Sequence, residues 1–201
     1  MEQQKNDSKS RNLKGFLAAD KSELTSTNRV TLFETKPIAD LFPETTIIFA
    51  DIVNFTAWSS VRDPSQVFTL LETVYNAFDD IARKRRVFKV ETIGDCYVAV
   101  CGLPEPAKDH AMRMARFAND CMRKMWIIVK KLESSLGPDT GDLTMRMGLH
   151  SGPVTAGVLR GERSRFQLFG DTMNTGMCMS AFKNRFAIFF TFTNVLQSNA
   201  G

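Results

Sequence analysis

Two acidic residues, Asp51 and Asp95, stand where their side chains could do chemistry together. Asp51 lies near the exit of a short β-branched apolar run, Thr45 to Val53 (TTIIFADIV), which reads as a buried strand. Asp95 lies in a Gly94-Asp95 turn between two further strand-like runs, Val87 to Thr92 and Cys96 to Gly102, a pattern that signals a hairpin. If the third strand lies antiparallel beside the first, the exit of one meets the entrance of the other, and the two carboxylates converge at one edge of a sheet. Such a pair suits Mg²⁺, which takes one or two carboxylates and completes its shell with substrate phosphates. Two such ions can activate an attacking oxygen and steady a leaving one. Each aspartate taken alone could serve only local turn hydrogen bonds. Asn54-Phe55-Thr56 leave the first strand into a turn whose backbone N–H groups could cradle phosphate. Arg146, inside the strand-like LTMRMGLH, would pair with phosphate bidentately if aimed at the same edge.

The elements needed to bring these residues together can be read along the chain. From Ser65 to Arg86, apolar residues recur at Val67, Leu70, Leu71, Val74, Tyr75, Phe78, Ile81 and Ala82, the spacing of an amphipathic helix. Pro64 precedes it and basic residues close it. A second helix is expected from about Asp109 to Ser134, with Met114, Ala118, Cys121, Met125, Val129 and Leu132 on its inner stripe as core filler. Leu143 to His150 and Val154 to Leu159 read as two strands around a Ser151-Gly152-Pro153 turn, Phe166 to Phe169 as one more, and Asp171 as the start of a helix. The fold class is therefore α+β: a ferredoxin-like β-α-β-β-α-β core with a mixed, largely antiparallel sheet and helices on one face, with additions at its end. Residues 1–43 read as a polar lead-in, 44–180 as the domain, and 181–201 as a tail outside it.

Composition narrows the class further. The chain has 201 residues, of which 43% are hydrophobic, and a net charge of +4. A domain of that size can bury a full core without staples. The densest basic run, Lys84-Arg85-Arg86, reads as a solvated helix end, so no nucleic-acid partner is expected. The four cysteines (Cys96, Cys101, Cys121, Cys178) have no metal-type spacing and read as free thiols of a reducing, cytoplasmic setting. No apolar stretch approaches the roughly 18 residues of a spanning helix, so this segment itself is expected to make no membrane contact, with room for a tether outside it. His110 and His150 are lone histidines and read as structural.

The strings FADIVNFT, FKVETIGDCYVAVCGLPEP, KDHAMRMA and RMGLHSGPVTAGVLRGERSRFQLFGDTMNT resemble the catalytic domains of class III adenylate and guanylate cyclases, in order and without a gap from about Pro43 to Thr175. The resemblance implies conversion of GTP or ATP to a 3′,5′-cyclic nucleotide plus pyrophosphate on two Mg²⁺ or Mn²⁺ ions. It implies Asp51 and Asp95 as metal ligands, assisted by the backbone carbonyl of Ile52. Phe55 and Thr56 match the phosphate-binding turn, Arg146 an arginine on the triphosphate, and Asn174 the residue that orients the ribose. Active sites of the family form across a head-to-tail dimer, so a homodimer, or a heterodimer with another cyclase domain, is the implied partner state. Other two-aspartate nucleotidyl transferases share the β-α-β-β layout, but no GGDEF-like hairpin is present.

Base choice in the family rests on the positions of Glu91, in KVET, and Gln167, in RFQLFGD. A carboxylate at 91 accepts from guanine N1–H and N2–H₂ and repels the acceptor N1 of adenine. The Gln167 amide can donate to guanine O6 or flip to accept from adenine. Glu91 therefore tips the expectation to GTP. The pattern then breaks. Cys178 occupies the place of the arginine that steadies the transition state, and AFKNRFAIFFTFTNVLQSNAG from residue 181 aligns with nothing in the family. The resemblance thus implies a fold incomplete at the C-terminus. The expectation is a weak homodimer, or an impaired partner that binds nucleotide and metal.

Overall fold

The computed structural model of the chain describes residues 38–159, 165–180 and 188–192. Strand β1 (Ile38–Val53) leads through α1 (Phe55–Ser59) into the long helix α2 (Pro64–Arg85). Then come β2 (Phe88–Ile93), β3 (Cys96–Cys101), α3 (His110–Leu136), a 3₁₀ turn (Pro138–Asp142), β4 (Thr144–Leu159), β5 (Arg165–Phe169), α4 (Asp171–Ser180) and β6 (Ile188–Phe192). The sheet runs β2-β3-β1-β4-β5, antiparallel throughout, with β6 added parallel to β4. This is the expected α+β, ferredoxin-like order.

Alternation along the strands sorts the core into two layers. Ile48, Ala50, Ile52, Tyr97, Ala99, Met145, Met147 and Leu149 face α2 and α3 and join Leu70, Val74, Phe78, Met114, Phe117, Cys121 and Met125. Ile47, Phe49, Val98, Val100, Val154, Ala156 and Leu168 form the layer on the opposite face. The short helix α4 lies on that second face, and glycine at 176 eases its close approach: a Cβ there would stand 3.1 Å from the Phe49 ring, which would have to give way by a few tenths of an ångström. Phe78 is fully buried, its ring edge-on to Tyr97 with centroids 5.6 Å apart. Phe78→Ala should therefore lower the free energy of unfolding by about 3–5 kcal/mol in urea titrations, since the cavity cannot collapse between two packed helices and the sheet.

Three expectations change. Residues 38–43, read as the end of a lead-in, form the start of β1, pairing Ile38–Phe42 with Val154–Val158. Ser151-Gly152-Pro153 is no turn: β4 continues through it as one strand. The register shifts there, because Phe42 pairs with Val154 and Thr45 with Gly152, so Pro43 and Glu44 oppose Pro153 alone. Two prolines that cannot donate to a ladder are accommodated by a bulge rather than by ending the strand. Finally, the segment after residue 180, expected outside the domain, supplies β6, which pairs Ile188–Phe192 with Met147–Ser151. Both histidines are structural contacts: His150 Nδ1 is 2.6 Å from Thr191 Oγ1, and His110 Nδ1 is 2.6 Å from Thr46 Oγ1.

Candidate active site

The register of β1 with its two neighbours sets one row across the sheet. Asp51 stands directly opposite Cys96 of β3 on one side and Arg146 of β4 on the other. All three project from the face of Phe49 and Val98, away from α2 and α3. Asp95 precedes Cys96 at the tip of the β2–β3 hairpin, whose turn needs the positive φ of Gly94 (61°). The expected convergence is present: the Asp51 and Asp95 carboxyl groups are within hydrogen-bond reach of each other.

The electrostatics of the row follow from that proximity. Burial, and then the neighbouring Asp51, push the Asp95 carboxyl up to about 6. Arg146 answers only part of this. Its Nε donates to Asp51 Oδ2 at 2.5 Å, and its Nη2 pairs with the same oxygen. The Asp51 side chain is 16% exposed and that of Arg146 32%. Cys96 is pushed up to about 12, by burial first and then by the two aspartates, so its thiol keeps its proton. Tyr75 of α2 donates from its hydroxyl to the Gly94 carbonyl at 2.9 Å, and burial followed by Asp95 raises its pKa, so the donor is retained. That bond ties the hairpin tip to α2. Thr144 Oγ1, on the same face of β4 two residues before Arg146, is buried without a hydrogen-bond partner.

Two carboxylates that resist joint ionisation, with a single arginine on one oxygen, fit a divalent cation. Among the described residues no cluster of three or more His, Cys, Asp or Glu forms a metal site. The pair therefore suits Mg²⁺ or Mn²⁺, whose shells are completed by water and phosphate, better than zinc, which needs three or four protein ligands. Ile52 follows where pairing with β3 has ended, and its side chain is buried toward the helices, so only its backbone could face a ligand. Phe55 and Thr56 open α1 immediately beyond, after Asn54 in the left-handed region (φ 66°). First-turn N–H groups of a helix have no partner within it.

The remaining expected residues lie elsewhere in the fold. Glu91 is exposed on the edge strand β2, beyond a bulge after Lys89. Gln167 is half-buried on β5, opposite Gly157. The rings of Phe88 and Phe166, 5.2 Å apart, bring these two strands toward each other although they are at opposite ends of the sheet order. Asn174 and Cys178 are both exposed on α4, one turn apart on its outer side, and neither hydrogen-bonds the carboxylate pair. Tyr75, Cys96 and Thr144 are neighbours of the pair that sequence reasoning did not single out. Tyr75 had a place in the apolar stripe of α2, but nothing in that periodicity reports where its hydroxyl goes.

Residues 39–197 match the family model for the adenylate and guanylate cyclase catalytic domain. The chain belongs to that family. Its match runs past residue 181, across the segment expected to lie outside the pattern. Over 143 residues, 71% of this chain, it is 43% identical to the receptor-type guanylate cyclase gcy-28 of Caenorhabditis elegans, covering 11% of that protein. Over 147 residues, 73% of this chain, it is 40% identical to the guanylate cyclase soluble subunit beta-2 of Rattus norvegicus, covering 20% of it. The chain thus spans between about a tenth and a fifth of these relatives. Among solved structures, the guanylate cyclase domain of RhGC from Catenaria anguillulae, in complex with GTP, is 37% identical with a TM-score of 0.67, over 76% of this chain and 80% of that one. The adenylyl cyclase CyaB of P. aeruginosa, 22% identical with a TM-score of 0.70, shares the fold. The cyclase fold is the class III one, with the catalytic-domain sheet and helices in the expected order. No helix among the described residues is long and apolar enough to cross a membrane.

Proposed function

We propose that this cyclase domain converts GTP to 3′,5′-cyclic GMP and pyrophosphate, in a cytoplasmic setting, with its metal-binding half intact and its opposite half impaired. The observation that carries the reading is the meeting of Asp51, Asp95 and Arg146 at one strand edge. The substrate expectation is supported by Glu91 and by the GTP bound to the related RhGC domain.

Asp51 and Asp95, with the Ile52 carbonyl, would hold two Mg²⁺ or Mn²⁺ ions. When bound, the ions supply Lewis-acid stabilisation of charge on the triphosphate and the reacting oxygens. The chain's own contribution is to fix the carboxylates. Tyr75 holds the hairpin of Asp95, and the antiparallel register holds Asp51. Arg146 pairs with Asp51 and would present its remaining donors to a phosphate oxygen of the substrate. Phe55 and Thr56 offer backbone donors to the phosphates. The substrate 3′-hydroxyl oxygen attacks the α-phosphorus, the bond to the bridging oxygen breaks, pyrophosphate leaves with that electron pair, and the hydroxyl proton passes to solvent.

The base and ribose are read by Glu91, Gln167 and Asn174 of a second cyclase domain, because in a single chain α4 turns Asn174 outward and away from the carboxylates. A homodimer would hold two equivalent composite sites. The domain is taken to start at residue 38, where β1 begins, and to run through α4, with β6 as an added strand. Cys178, exposed where the family places its transition-state arginine, supports the second reading: a partner that binds metal and nucleotide with little turnover of its own.

Cyclic GMP and cyclic AMP formation from Mn²⁺-loaded GTP and ATP, by this chain alone and mixed with an intact cyclase domain, tests the assignment. The mixture, with the intact domain's own metal aspartates replaced, should form product while this chain alone forms little. A Cys178→Arg homodimer, in which this chain supplies both halves, should favour GTP over ATP. Equal turnover of ATP, or failure of a proven mixed dimer, would refute it. In a Cys178→Arg homodimer, where this chain itself reads the base, Glu91→Lys should lower GTP turnover by about 10²-fold and raise ATP turnover relative to GTP. The effect stays below what a buried carboxylate would give, because Glu91 is exposed to competing water in the single chain.

A further inference from the structure

We propose that the outer face formed by the end of α2 and the middle of α3 docks on an anionic lipid surface. In the sequence, Lys84-Arg85 and Arg123-Lys124 are nearly forty positions apart, the first at the end of one expected helix and the second inside the next. Antiparallel packing of α2 against α3 places both runs around one groove of about 390 Å³, lined by Ile81, Lys84, Arg85, Arg123, Lys124 and Ile127. The groove has a single acid, Asp120, and Arg85 already holds it at 2.7 Å. Lys84, Arg123 and Lys124 make no ion pair among the described residues, and Lys131 adds a fourth unpaired cation a turn or two along α3.

Beside these cations stand two large apolar side chains in water: Trp126 is 61% exposed and Ile127 52%. A cationic groove lined by the aliphatic Ile127, with an exposed tryptophan next to it along α3, one turn from Arg123, is the composition of an interfacial surface. The cations meet lipid phosphate and carboxylate groups while the apolar pair enters the boundary between headgroups and acyl chains. Lysine and arginine stems can lie along that boundary with their heads in the polar layer. A nucleic acid would use the same cations, but it offers nothing to the aliphatic Ile127 among them. The face is on the helix side of the sheet, opposite the row of Asp51, Cys96 and Arg146, so docking would leave the carboxylate pair open.

The test uses the whole chain and its own fluorescence. Of the two tryptophans, Trp58 is buried with its Nε1 donating to Thr140 Oγ1 at 3.2 Å, so a change in emission on binding reports Trp126. Vesicles with about a third phosphatidylserine should sediment the protein and shift its emission to the blue, whereas phosphatidylcholine vesicles should do neither. Added salt should weaken the binding. A Lys84→Glu, Arg123→Glu, Lys124→Glu variant should bind at least about 50-fold more weakly, taking roughly fivefold per lost cation and some repulsion besides. Its circular dichroism and melting temperature should be unchanged. Trp126→Ser should bind about tenfold more weakly, having lost its apolar anchor. Equal affinity for both vesicle types, absence of binding to either, or binding to a DNA duplex but not to phosphatidylserine would each overturn the proposal.

Discussion

An Asp95→Asn chain is expected to be more stable than the parent in the absence of metal, and at least about 10³-fold slower once metal and GTP are supplied. Both effects come from the same carboxyl group. Its pKa rises from 3.8 in the unfolded chain to about 6 in the fold, through burial and then through Asp51. The native state therefore binds the proton more tightly than the unfolded state. Metal-free stability then falls as pH climbs from about 4 to about 6 and stays reduced above that range. The full shift would correspond to ~3 kcal/mol, but Asp95 is only half-buried and water screens it, so about 1 kcal/mol is expected at pH 7.5. Asparagine removes the charge and that penalty together. In EDTA the variant should melt a few degrees higher at pH 7.5, and the gain should vanish near pH 4, where the native carboxyl is already protonated.

The same substitution removes one of the two carboxylates that meet at this strand edge. Losing several kcal/mol of transition-state charge stabilisation corresponds to three decades or more in rate. The assay pairs this chain with an intact cyclase domain whose own metal aspartates have been replaced, so that turnover can come only from the site built on Asp51 and Asp95. A variant no more stable than its parent in EDTA would show that the carboxylates do not oppose each other. A variant that kept its turnover would remove Asp95 from the metal site.

Much of this arrangement was legible before any coordinates because it depends on topology. A β-α-β-β order forces the end of the first strand to meet the start of the third, and Asp51 and Asp95 are at those two ends. The ion pair of Arg146 with Asp51 depends on register, and register was not legible. It is set by the bulge at Pro43 and Glu44 opposite Pro153, where the sequence offers turn residues that suggest the strand stops. A slip of one residue would have sent Arg146 into the layer of Met145 and Met147 under the helices. The placement of α4 was equally hidden. It is eased by Gly176 where the helix meets Phe49, and an isolated glycine in a helical pattern does not say which surface it approaches. The basic face is a third case, since two unremarkable charge runs become one surface only when α2 and α3 pack together.

The second large effect concerns Cys178. A homodimer of this chain is expected to turn over GTP at least about 10³-fold more slowly than a mixed dimer with an intact cyclase domain, although both contain the same metal half. Asn174 and Cys178 share the exposed side of α4, one turn apart, so a residue at 178 reaches whatever Asn174 reaches. An arginine there would present a charged fork of donors to the oxygens on which negative charge builds. A thiol has neither the charge nor the fork. Arginines at phosphoryl-transfer centres contribute roughly 10³-fold or more in rate, which sets the size of the gap. In the mixed dimer one composite site joins this chain's Asp51 and Asp95 to the intact partner's arginine and should recover. The other site, using this chain's Cys178, should stay silent. Cys178→Arg should accordingly raise homodimer turnover while leaving the dependence on Mn²⁺ concentration unchanged, because the metal half is untouched. If the substitution instead shifted the metal dependence, or if the parent homodimer already matched the mixed dimer in turnover, the division into an intact and an impaired half would be wrong.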